Sequence, residues 1–382
     1  MHPMVKPALR RAWRNLQFVQ FGATPAHAVV LGPVDTTTGS LLGLFDGTRG
    51  LPLLREEARA LGLPEGRMEA LVARLAEAGL LDDAAAGDPA ADALRKEDGA
   101  LDRLRADLAS LSVVHREPGG AIRRLAARRS MRVQVRGAGR VGASIAALLS
   151  ASGVGRVEVL DGDRVEPWDV APGGLPAEAV GERRDAAARR LVGRAAPAGR
   201  APRTAPRAGR PAGSEPGLSL VVVAPRDGLS AYAPDPLTAD DWVATGTPHL
   251  YAGVVEATGV VGPLVLPGGT ACARCLDLER ADRDPAWPRM LAQWRSGRRS
   301  RVPACDLGLA TAAAGLAAAH ALAFLDGELP ASTGTRWETS LPLLDWRAER
   351  IAPHRDCTCG AAGRGEGERT SGTGAGQDTM AG

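Results

Sequence analysis

Aromatic residues are scarce in this chain, at 3% of 382 residues, so its core has to be built from Leu, Val and Ala. It also lacks an excess of charge of either sign. The formal net charge of +3 by itself points to neither nucleic acid nor a membrane surface. No apolar run follows the basic N-terminal stretch MHPMVKPALRRAW, so no secretion signal is read there and a cytoplasmic setting is expected. Five cysteines without such a signal argue against a disulfide framework and for metal binding or catalysis. One long uncharged run does occur, Leu307–Leu325. Its Ala and Gly content, His320, and the flanking Asp306 and Asp326-Gly327 make it a buried helix rather than a membrane span. A hydrophobic share of 45% and a charged share of 24% are those of a globular chain long enough for two domains.

The most informative stretch runs from Met131 to Asp163. Residues 131–136 read as a strand, and Gly137, Gly139 and Gly142 form a GxGxxG turn. Val141, Ile145, Leu148 and Leu149 then recur at helical spacing over 140–152, and Gly153 is placed to cap that helix. A second strand, Arg156–Leu160, ends at Asp161 and Asp163. This is a βαβ unit whose bare glycine backbone and helix N-terminus can accept a phosphate, with an acid at the ribose position. An ordinary glycine-rich βα turn is the alternative, because Gly supplies 47 of the residues.

The first 83 residues predict strand pieces within 16–31 and helices over Thr38–Leu44, Leu51–Leu61 and Glu65–Ala78. That pattern describes a small winged helix-turn-helix-like α+β domain. Nucleic acid is not its expected partner: nine Lys/Arg face nine Asp/Glu over these residues, and the third helix mixes Arg67 and Arg74 with Glu65, Glu69 and Glu77. The run LLGLFDGTRGLPLL resembles the helix–DGT–helix passage of PqqD-like peptide-binding modules, which implies capture of a peptide as an added strand. Residues 84–117 read as a linker with a helix around Ala91–Leu111.

From about residue 118 to 360 the chain resembles the ThiF/MoeB adenylyltransferases, relatives of the ubiquitin-activating enzymes. The landmarks fall in order: RGAGRVG, VEVLDGDRVEPWD, VGERRDAAARRL, LSLVVVAPRDG and PHLYAGVVEATGVVGPLVLPGGTACARCL. The resemblance implies a Rossmann-like domain with a mostly parallel sheet, and attack of a carboxylate on the α-phosphate of ATP to give an acyl adenylate. It implies that Gly137, Gly139 and Gly142 cradle phosphate and that Asp161 holds the ribose. Asp163 and Asp227 would orient Mg²⁺, and Arg184 would stand where the family carries an ATP-binding Lys. Its substrate would be a peptide or small carrier protein, and a homodimer is expected. A catalytically degenerate scaffold that presents a ribosomal peptide to a partner modifying enzyme is the rival. It is favoured by the loss of the NLxRQ box, where Asp169 and Pro172 stand for the Asn and Arg. The retained glycine loop, Asp161, Asp163 and Asp227 favour the enzyme. Arg140 for a loop glycine and Gly228 for the Asn after Asp227 are further departures. Arg164, Arg183 and Arg226 are the cations available to compensate. An NAD-linked oxidoreductase shares the glycine fingerprint but leaves the cysteines unexplained.

Cys272-x-x-Cys275 and Cys357-x-Cys359 are two thiolate pairs suited to a closed, structural zinc site. The ending His354-Arg-Asp-Cys357-Thr-Cys359 matches an H-x-x-CxC pattern of relatives acting on ribosomal peptides. Such a site would pin strands expected over Arg336–Leu341 and Leu344–Arg347. Cys305, beside Asp306 at a helix start, is a small buried residue or a nucleophile. Trp287, Trp294 and Arg295–Arg301 read as a disordered or lid-like loop, and Glu256 as a structural residue within a strand. Residues 195–217 and 361–382 are low-complexity and are expected to be disordered.

Overall fold

The computed structural model describes residues 1–197, 217–297 and 302–364. Most of the low-complexity run, the end of the arginine-rich segment and the C-terminal tail therefore lie outside the described residues. The chain divides into two compact units, one made chiefly of Met1–Met131 and the other chiefly of the residues from Arg132 onward.

The first unit opens with β1 (Pro3–Val5), which pairs antiparallel with β5 (Leu81–Asp83). Between them, β2 (Arg11–Trp13), β3 (Val19–Phe21) and β4 (Val29–Leu31) form a three-stranded antiparallel sheet. Helices Thr36–Gly43, Leu51–Ala60 and Arg67–Glu77 follow, close to the expected positions. They bury Leu41, Leu54, Met68, Leu71 and Leu75 with Val19, Phe21 and Leu31 of the sheet. The DGT turn has a plain physical basis. Asp46 accepts from the Thr48 backbone at 2.9 Å and pairs with Arg49 at 2.9 Å, while Gly47 takes φ +83°. Residues 84–131 carry four helices, Pro89–Arg95, Ala100–Arg103, Arg105–Val114 and Gly120–Arg128, around a core that includes Leu94, Leu104, Ile122 and Leu125.

The second unit is organised on a seven-stranded sheet of β6 (Arg132–Arg136), β7 (Arg156–Leu160), β8 (Leu220–Val223), β9 (His249–Val255), β10 (Thr258–Val265), β11 (Thr335–Ser340) and β12 (Arg347–Arg350). Their order is β12-β11-β10-β9-β8-β6-β7. β6, β8 and β9 pair in parallel, with Val133 opposite Leu220 and Val221 opposite His249. From β9 to β12 the ladder is antiparallel. The two-residue link Glu256–Ala257 allows nothing else, since a parallel pair needs a long crossover. Both link residues have positive φ, so Glu256 is a turn residue rather than part of a strand. All four residues of β8 are buried, as expected of a strand covered on both faces. Leu307–Leu325 is a helix over the expected span. It is the one described helix long and apolar enough to cross a membrane. Leu309, Ala310, Ala313, Ala314 and Ala317 are nevertheless buried, and the helix packs on β9 and β10.

Two further expectations are corrected. The last strand is Arg347–Arg350 rather than Leu344–Arg347, because the chain turns after Ser340 and Leu344 itself takes φ +54°. Trp287–Ser296 is a helix, not a loop: Trp287 is buried beside Ala233 and Leu291, and the Arg280 guanidinium lies 4.7 Å from its ring centre.

Candidate functional site

The glycine turn follows β6 and opens the helix Arg140–Ala151. Gly137 has φ +111°, and a Cβ there would sit 2.0 Å from the carbonyl oxygen of Ala224, the residue after β8. At Gly142 a Cβ would meet the Gly137 carbonyl oxygen at 2.2 Å. These two glycines let the helix start directly on the strand ends. Strand β6 has β7 on one side and β8 on the other, so the turn lies where the strand order reverses, the usual ligand crevice of an open α/β sheet.

Asp161 holds this turn in place. One carboxylate oxygen accepts from the Ala138 backbone at 2.8 Å, and the other pairs with Arg184 at 2.9 Å. Arg184 begins the helix Arg184–Ala195 and reaches two further carboxylates, Asp163 at 2.9 Å and Asp169 at 3.4 Å. Its side chain is only 4% exposed. Burial works against its charge, but Asp161, Asp169 and Asp163 outweigh that and raise its pKa above the ordinary arginine value. Asp169 in turn accepts from the Glu166 backbone at 2.9 Å and from Arg226 at 2.6 Å. The structure thus brings Asp161, Asp163 and Arg184 together, with Arg184 paired to carboxylates, and adds Asp169 and Arg226. The sequence named those two only as a departure and a possible compensation; their contact spans 57 residues and leaves no local signal.

Asp163 presents an 85% exposed side chain, and Asp227 is also exposed. Asp227 stands just before Gly228, the N-cap of the short helix Leu229–Tyr232, and accepts from the Leu229 backbone at 3.3 Å. Gly228 has φ +71°, and a Cβ there would lie 2.0 Å from the Val254 carbonyl oxygen. That clash explains why no Asn follows Asp227. Arg140 does not crowd the glycine turn; its Nη1 donates to the Cys305 carbonyl at 2.7 Å. Cys305 is buried, and burial pushes its thiol up to about 11. A thiol so rarely ionised at neutral pH is a poor nucleophile.

Cys272, Cys275, Cys357 and Cys359 form a separate centre in the same unit, with their four sulfurs within 4.8 Å of one another. The Sγ separations are 3.9 Å for Cys272–Cys275 and 3.6 Å for both Cys272–Cys357 and Cys275–Cys359. A tetrahedron with Zn–S bonds of about 2.3 Å has edges near ~3.8 Å, so the set fits zinc, and it is too wide for disulfides of ~2.05 Å. His354 is not a ligand here. Its Nε2 bonds to Asp282 at 3.0 Å and its Nδ1 accepts from the Asp356 backbone at 3.1 Å, bracing the second cysteine loop against the helix Ala273–Arg283. Four thiolates would close such an ion off from substrate, so its contribution would be structural.

A Rossmann-like α/β domain with a glycine turn at its switch point and a four-thiol cluster is the class that these features define. The model of the ThiF family matches residues 116–361, and the chain belongs to that family. Among solved structures it is similar to E. coli MccB with AMPCPP and MccA, at 15% identity and a TM-score of 0.67 over 94% of this chain and 100% of that one. The microcin C7 biosynthetic enzyme MccB in complex with N-formylated MccA gives 16% identity and a TM-score of 0.66, with the same coverage. PaaA gives 17% identity and a TM-score of 0.63, over 91% of this chain and 99% of that one. This coverage extends the likeness of fold into the N-terminal unit. A search of curated proteins finds no match.

Proposed function

We propose that the protein activates a carboxylate of a peptide or small carrier protein with ATP. The observation that carries this reading is the ThiF-family edge itself: a glycine turn after β6 pinned by Asp161, with exposed Asp163 and Asp227 following β7 and β8, the strands on either side of β6. One substrate carboxylate oxygen would attack the α-phosphorus as the bond to the bridging oxygen of pyrophosphate breaks. The products are an acyl adenylate and pyrophosphate. The glycine turn and the helix behind it would hold phosphate, and Asp161 would meet the ribose while keeping its bond to Ala138. Asp163 and Asp227 supply the hard oxygen donors that Mg²⁺ takes, and the ion would neutralise charge on the departing pyrophosphate.

The N-terminal unit would supply the peptide. β2 and β4 are the two edges of its three-stranded sheet. Trp13, Leu16 and Phe18 are exposed at the β2–β3 hairpin, a surface suited to an added strand. That the MccB structures contain MccA accords with a peptide substrate here. The scaffold reading keeps one specific support, the replacement of the family's box residues by Asp169 and Pro172.

Exchange of labelled pyrophosphate into ATP separates the two. The protein is incubated with Mg-ATP and a pool of short peptides ending in free carboxylates, then with the same pool amidated at its C-termini. Exchange with the free pool alone is the expected result. Equal exchange in the two pools contradicts activation of a terminal carboxylate, and none in either favours the scaffold.

A further inference from the structure

The family's reaction needs cations on the phosphates, and this unit has no lysine to provide one: the chain's two lysines are Lys6 and Lys96, both in the N-terminal unit. The work falls to arginine. Arg164 donates to the Gly181 carbonyl at 2.6 Å, Arg183 pairs with Asp185 at 3.0 Å, and Arg140 donates to Cys305. Arg184, at the position of the family's Lys, is enclosed by three carboxylates. Moving it onto a phosphate would strip buried Asp169 and Asp161 of their counter-charge, a costly exchange.

Arg226 is placed differently. Its stem lies against the glycine turn, 3.1–3.3 Å from where a Cβ on Gly139 would be. Its Nε is anchored on Asp169 at 2.6 Å, and its guanidinium lies 5.8 Å from the Trp168 ring centre. The side chain is 21% exposed against 4% for Arg184. Asp169 is thus one buried carboxylate shared by two arginines, one enclosed and one at the surface of the crevice.

We propose that Arg226 is the phosphate-binding cation of this site, that Asp169 aims it, and that Arg184 is a strut holding Asp161, Asp163 and Asp169 in register. The Asn-to-Asp and Arg-to-Pro departures at 169 and 172 are then one relocation: the box has given up its arginine and gained the carboxylate that seats another from the strand-end loop after β8. A planar guanidinium gripped at Nε is well suited to a phosphate, because its orientation is fixed before the ligand arrives. This rests on the adenylation reading, and it adds which side chain meets the nucleotide's charge.

Calorimetric titration of the zinc-loaded full chain with Mg-ATP and, separately, with adenosine tests it. Arg226→Gln should weaken ATP at least tenfold and leave adenosine within twofold, with a thermal midpoint that falls only modestly because Arg184 and the Glu166 backbone still hold Asp169. Arg226→Lys should recover part of the loss. Asp169→Asn should weaken ATP severalfold, again sparing adenosine. Wild-type affinity for ATP in both Arg226 variants overturns the proposal. So does an equal loss of ATP and adenosine, which a merely structural residue would give. Wild-type ATP affinity in Asp169→Asn removes the aiming role. If the unaltered protein binds neither ligand, the adenylation reading falls first and this proposal with it.

Discussion

Cys272→Ser is expected to leave the protein without zinc and to lower the melting temperature of its C-terminal domain by about 10 °C. The cluster joins the start of the helix Ala273–Arg283, just beyond β10, to the loop after β12, so one bound ion would close a circuit across more than eighty residues. Three of the four thiols are buried, among Val223, Tyr251, Val265 and Ile351. Losing the ion leaves unpaired thiols in that wall and frees the segment that carries them. A loss of about 3–5 kcal/mol is typical when one member of a buried charged set is removed. For a domain of this size that converts to a shift of about 10 °C. Elemental analysis and scanning calorimetry of wild-type and variant protein check it. A metal-free wild type with the same melting temperature as Cys272→Ser would show that the four sulfurs are only core residues.

Gly137→Ala should be nearly as damaging, for a different reason. The backbone there holds φ +111°, and the added methyl would stand 2.0 Å from a carbonyl oxygen of the neighbouring strand end. Strained backbone costs on the order of 1–3 kcal/mol and forced overpacking a similar amount. The loop would have to leave the sheet edge, breaking the Ala138–Asp161 bond with it. The expected outcome is a stability loss of about 3 kcal/mol by denaturant titration and no measurable ATP binding. Gly162→Ala is the control: a Cβ there meets nothing within 4 Å, so that substitution should have little effect. Equal stability of the two variants would mean that the glycine turn is not the fixed cradle described here.

The parts of this molecule that were legible in the sequence are those whose physics is local. A helix of twelve residues with apolar positions at regular spacing, glycines between a strand and that helix, and paired cysteines all announce themselves within short windows. The same holds for the Asp46-Gly47-Thr48 turn, where each residue type has its own reason to be there. Strands β1, β2 and β5 were not visible: they are as short as β3 and β4, but PMV opens on a proline and RAW and LDD lack the apolar clusters of VQF and VVL. The link Glu256–Ala257 hid a tight turn, since neither residue type favours the positive φ that both adopt.

At the candidate site the gap has another cause. The roles of Asp161 and Arg184 were read from their places in a motif, and a motif does not say which carboxylate a buried guanidinium will choose. That depends on packing between distant segments, as in the contacts from Arg184 to Asp169 and from Asp169 to Arg226. His354 is a similar case. The H-x-x-CxC ending gives its place in the chain but not its partner, and the fold makes it a brace to Asp282 beside the cysteine cluster.

The most direct measurement is calorimetric titration of Mg-ATP into the zinc-loaded protein, with Asp163→Ala in parallel. Asp163 suits this because its side chain is 85% exposed and Asp161 and Asp169 remain to hold Arg184, so the fold should survive the substitution. Saturable ATP binding in the wild type, weakened at least tenfold in the variant, is the result expected of a working adenylation pocket. No heat of binding at millimolar ATP in a zinc-loaded, folded wild type would contradict it.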